Sequence, residues 1–133
     1  MKFSLIVAAV AGLSFFGITE DASAIDRFAG VTINNSLGLR INYQVKWGDG
    51  SWQQRSIGPN GSRSEWFRYK RPGQNRSPRL QIRFDSDMSG ETHNVVYDLK
   101  KYASPDRDSK SFKQYIFRTD GTQGRYIDLK RKK

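Results

Sequence analysis

The stretch Leu39-Arg40-Ile41-Asn42-Tyr43-Gln44-Val45-Lys46-Trp47 alternates apolar and polar side chains without a break. A period of two is that of a β-strand with one dry face and one wet face. A register slip of one residue would put five large apolar side chains in water and two cations in a core, so the strand fixes its own orientation. Gly48-Asp49-Gly50 then makes a tight turn, and Trp52 to Ile57 reads as the returning strand of a hairpin with Trp47 and Trp52 at its turn end. Trp47 is in phase with the apolar face and is expected in the core, whereas Trp52 has polar neighbours and fits either environment.

Working outward, Val31 and Ile33 alternate with Thr32 and Asn34, and the turn-forming run Asn35 to Gly38 predicts that this strand pairs with Leu39 to Trp47 as a hairpin. Downstream, Gly58-Pro59-Asn60-Gly61 is a loop, and Ser62 to Tyr69 follows as a strand with Trp66 and Phe67 on opposite faces. Lys70 to Pro78, with two prolines and a glycine, breaks the pattern before Arg79 to Phe84 restores it. Asn94 to Leu99, Phe112 to Arg118 and Arg125 to Leu129 are three further strands, and the charged connection Lys100 to Lys110 is assigned no regular structure.

Eight short strands separated by turn clusters, with no competing helical period, predict an all-β protein. A small sheet must bury one face, so the expected architecture is an antiparallel β-sandwich, with a closed β-barrel as the alternative.

Residues 1 to 24 carry a single early cation, an apolar run from Phe3 to Ile18 and the small-residue site Ala22-Ser23-Ala24. That pattern predicts a signal peptide cleaved after Ala24, and therefore a secreted, periplasmic or cell-envelope protein. The remainder, residues 25 to 133, reads as one domain ending in a basic tail, Lys130 to Lys133. Removing one lysine and two acids with the leader raises the formal net charge from +10 to +11. The chain has no cysteine, which excludes disulfides, thiolate nucleophiles and zinc knuckles.

Catalysis has little to draw on. His93 is the only histidine, and no serine sits in a G-x-S-x-G elbow, so a nucleophile, base and orienting group are not all present. The reading is a binding protein rather than an enzyme, with no cofactor and no metal expected. Asp85-Ser86-Asp87-Met88-Ser89-Gly90 matches the opening of a calcium loop, but the twelfth position is Val96 instead of a bidentate glutamate, so a polar turn is the expectation.

The basic surface is the stronger signal. Seven cations lie between Arg63 and Arg83, and arginine predominates among them. Its planar fork suits carboxylate, sulfate and phosphate, while Trp66, Phe67 and Tyr69 interleave as stacking surfaces. Arg68, Lys70, Arg71, Arg76, Arg79 and Arg83 are the candidate anion-binding residues, with Trp66 and Tyr69 as stacking partners.

The expected partner is an acidic polysaccharide, a cell-envelope polymer or an anionic membrane surface, bound by a monomer or weak oligomer. No specific nucleic acid is expected, because the chain lacks the RNP1 pattern and any zinc finger. Three other readings compete: a lectin-like module for neutral sugar using Trp52 and Trp66, a structural or assembly protein of the envelope, and a charged surface that serves solubility alone.

Overall fold

Strand β1 (Phe28–Asn35) runs through the middle of a sheet and is paired on both sides, which is why Val31 and Ile33 have no exposed surface. In the computed structural model, residues 27–132 are described except positions 72, 90, 91, 106, 108, 122 and 123. Nine strands appear among them: β1, β2 (Ile41–Trp47), β3 (Gln53–Ile57), β4 (Ser62–Arg68), β5 (Leu80–Phe84), β6 (Val95–Leu99), β7 (Tyr102–Ser104), β8 (Lys113–Asp120) and β9 (Tyr126–Arg131). The proposed leader, residues 1 to 24, lies outside the described residues.

The strands form two sheets. One has the order β4-β1-β8-β9, with β7 also on β1, and the other the order β3-β2-β5-β6. No ladder joins them among the described residues, so the architecture is a β-sandwich and not a closed barrel. All pairings are antiparallel except β1 with β8, which is parallel from Val31 opposite Lys113 to Asn35 opposite Phe117. The core lies between the sheets. Ile41, Tyr43 and Val45 of β2 and Leu80, Ile82 and Phe84 of β5 meet Val31 and Ile33 of β1, Phe117 of β8 and Leu129 of β9. Phe117 packs edge-on against Phe84 with ring centroids 5.1 Å apart, a favoured aromatic geometry.

Several expectations need correction. β1 and β2 do not form a hairpin: they belong to different sheets, and the turn between them is an arch. Asn35 builds that arch, its amide group donating to the carbonyls of Leu39, Ile57 and Gly58 while its Oδ1 accepts from the Leu37 amide. Leu39 is therefore outside the strand and 46% exposed. The β2–β3 hairpin is as expected, closed by Gly50 N donating to Trp47 O at 3.0 Å. Trp47 is half-buried against the edge of the core.

The connection after Leu99 is also more regular than expected. It contains β7, paired with the start of β1, and a single 3₁₀ turn at Ser109–Ser111. Lys130 and Arg131 belong to β9 rather than to a free tail, and the Lys132 amide still bonds to Gln114 O.

Candidate functional site

The run from Arg63 to Arg83 leaves one sheet and enters the other, and this separates its arginines. Trp66 and Arg68 lie on the outer face of the β4-β1-β8-β9 sheet, because Glu65 pairs with inward-facing Val31 and side chains alternate from there. Trp66 is 40% exposed, meets Phe28 edge-on and carries the Arg107 guanidinium 5.0 Å from its ring centre. Arg63 instead turns inward and, together with Arg55 of β3, binds the buried Glu65 carboxylate, each at 3.1 Å. That ion pair ties the β3 and β4 edges together across the sandwich.

Arg79 and Arg83 belong to the outer face of the other sheet. Arg79 is paired with Asp98 at 3.0 Å. Arg83 donates through Nε to Gln44 Oε1 at 2.7 Å and stacks 4.2 Å from the centre of Trp52, with Lys46 on the same ring at 5.5 Å. Lys70 and Arg71 are exposed on the loop between β4 and β5, where both backbone amides donate to Gln74 Oε1. Tyr69 holds Arg27 over its ring at 4.8 Å.

Tyr69 and Arg76 do come together, in a cleft of about 530 Å³ at one end of the sandwich. Its other cationic walls are Lys100 and Lys101, and Asn75 and Ser77 add polar groups. Among the described residues that line it there is no carboxylate. The Lys101 ammonium donates to Pro78 O at 2.9 Å and lies 5.7 Å from the centre of Trp47. Burial there lowers its affinity for a proton below that of an ordinary lysine.

Lys100 and Lys101 were not among the sequence candidates. Their only signal was a cationic pair directly after an apolar strand, and what makes them wall residues is the pairing of β7 with β1, which folds the connection under the β4–β5 loop.

The Asp85 turn is built as a structural element. Asp85 is buried; its Oδ1 accepts from Thr92 Oγ1 at 2.5 Å and from the Asn94 amide, and its Oδ2 from the Thr92 amide at 3.1 Å. Asp87 accepts from the Ser89 amide in a separate local bond. Among the described residues, no three histidine, cysteine or acidic side chains converge as a metal site. No protein-family model matches the chain, and a search of curated proteins finds no relative.

Proposed function

We propose that this is an exported, non-catalytic protein that binds anionic groups, with Arg76, Lys100 and Lys101 supplying charge and Tyr69 an aromatic wall. The observation that carries the reading is the cleft itself: three cations line a recess in which no described residue offers a neutralising acid. Cations gathered in a concave, partly desolvated site focus the field and strengthen each charge-assisted hydrogen bond. Arg68, Lys70, Arg71, Arg79 and Arg83, spread over three surfaces, extend the field and add to long-range attraction rather than to this recess.

The neutral-sugar reading is weaker, because the tryptophan faces it needs are engaged. Trp52 carries Arg83 and Lys46, and Trp66 carries Arg107. A cation above an aromatic ring competes with a stacked sugar and favours an added anion.

The test is fluorescence anisotropy with labelled heparin as a generic polyanion. Affinity is expected to fall steeply from low to moderate salt, as screening shortens the reach of each charge. The triple variant Arg76→Ala, Lys100→Ala, Lys101→Ala should bind at least about tenfold more weakly, a loss of roughly 1.4 kcal/mol. Salt-insensitive binding, no binding at low salt, or full affinity in the triple variant would refute the proposal.

A further inference from the structure

Resting on the anion-binding reading, we propose a narrower ligand class: an amphiphile with one anionic head group and an apolar tail. The head occupies the cationic cleft and the tail a second recess beside it. That recess, about 320 Å³, opens between β6 and β9, each the last strand of its sheet. Tyr97, Leu99, Tyr115 and Leu129 form its apolar walls, and Lys100 and Arg131 stand at its rim. Leu99, Tyr115 and Leu129 are core residues, so the slot reaches into the space between the sheets instead of lying on their surface. The acid that lines it, Asp98, is already paired with Arg79.

Leu99 and Lys100 line both recesses. The segment they form is clamped across the sandwich, since the Lys100 amide donates to Tyr115 Oη at 2.8 Å and the same hydroxyl lies 3.3 Å from Lys100 O. The cationic cleft and the apolar slot are thus held at a fixed separation on either side of one short piece of backbone. A soluble polyanion fills the cleft and leaves the slot to water. An anionic amphiphile fills both, and its tail gains the free energy of leaving water while its head keeps the ionic contacts.

The test uses the whole chain and three small probes, each below its micelle-forming concentration: octyl phosphate, inorganic phosphate and octyl glucoside. Binding is followed by the backbone amide and leucine methyl resonances. Each buried methylene is worth roughly fourfold in affinity, so octyl phosphate should bind at least about tenfold more tightly than inorganic phosphate. It should shift the Leu99 and Leu129 methyls together with the Arg76 and Lys100 amides. Inorganic phosphate should shift the amides alone, and Lys100→Glu should weaken both ligands without lowering the melting temperature.

Equal affinity for octyl phosphate and inorganic phosphate, with unmoved methyls, overturns the amphiphile proposal and leaves anion binding standing. Octyl glucoside binding as tightly as octyl phosphate overturns it as well, since the head group would then contribute nothing. If neither phosphate binds, both readings fall.

Discussion

Tyr97 Oη donates to Asp128 Oδ1 at 2.7 Å, joining the edge strand of one sheet to the edge strand of the other. Burial pulls the Asp128 carboxyl upward, but hydrogen bonds from Tyr97, the Lys130 ammonium and the Leu129 amide outweigh it and hold the group below the usual carboxylate range. The same carboxylate pushes the Tyr97 hydroxyl up to about 12. At the far edge Arg55 and Glu65 play the equivalent part, so a polar contact links the two sheets on each side of the sandwich.

Tyr97→Phe removes the donor and leaves the ring. Stability at neutral pH should fall by about 1 kcal/mol, modest because the bond is partly exposed. The depressed Asp128 carboxyl contributes stability that is present above about pH 4, the unfolded value, and lost as pH falls through its lower folded value. The raised Tyr97 contributes stability that is present below about pH 10 and lost as pH rises toward 12. Urea titrations across pH should show both limbs flattened in Tyr97→Phe. Unchanged limbs would show that the bond does not couple the edges.

Tyr43→Phe should act in the opposite direction. The Tyr43 hydroxyl is buried in the core with no hydrogen-bond partner among the described residues, and burial, with the Glu65 carboxylate adding to it, raises its affinity for its proton. Deleting an unsatisfied buried hydroxyl removes a desolvation cost of about 1 kcal/mol or more while the ring still fills its place against Phe117. The variant should melt at least as high as the parent. A loss of more than about 1 kcal/mol would mean that the hydroxyl has a partner, such as a buried water.

Gly30→Ala should be among the most damaging single substitutions. Gly30 lies on the outer face of its sheet beneath Phe112, and an added Cβ would stand 2.6 Å from the Glu65 carbonyl oxygen and 3.0 Å from the Phe112 ring. The backbone obstacle belongs to the paired strand β4 and cannot swing away. Overpacking of this kind costs about 3 kcal/mol, readable as a fall in the denaturation midpoint at constant slope. Gly38→Ala, whose added Cβ meets no atom of the described residues within 4 Å, is the control and should be near neutral.

The class of fold was legible because alternation is a local signal. Ile41, Tyr43, Val45, Leu80, Ile82 and Phe84 all face the core as their spacing requires. The connection from β1 to β2 was not legible, since Asn35 to Gly38 suits a hairpin and an arch equally. The decision lies in distant pairings: β4 and β8 already occupy both edges of β1, and the β1–β8 pairing spans some eighty residues. The same limit applied to the arginines. Arg68 and Arg83 are close in sequence, but β4 and β5 belong to different sheets, whereas Arg76 and Lys100 meet only because β7 returns to β1.

Asp85→Asn tests the turn that resembles a calcium loop. Burial raises the Asp85 carboxyl, and hydrogen bonds from Thr92, Asn94 and His93 overcome that effect and hold it below its ordinary value. The stability it contributes is present above about pH 4 and lost as pH falls further, so the variant should lose about 2 kcal/mol at neutral pH and a smaller amount in acid. Millimolar calcium should leave the melting temperature of the parent unchanged, because the Asp85 oxygens are taken up by backbone and threonine donors. A calcium-dependent rise that disappears in Asp85→Asn would convert the turn into a metal site.

The proposed anion binding should be sensitive to alkali through Lys101. Its half-buried ammonium gives up its proton below the ordinary lysine value, and only the charged form attracts an anion. Polyanion affinity in the parent should therefore decline as pH rises through that lowered value. Arginine keeps its charge throughout this range, so Lys101→Arg should retain affinity where the parent loses it, while matching the parent at neutral pH. Anisotropy titrations from neutral to alkaline pH at fixed ionic strength would check this. An identical decline in both proteins would place the titrating group elsewhere and remove Lys101 from the cleft's binding set.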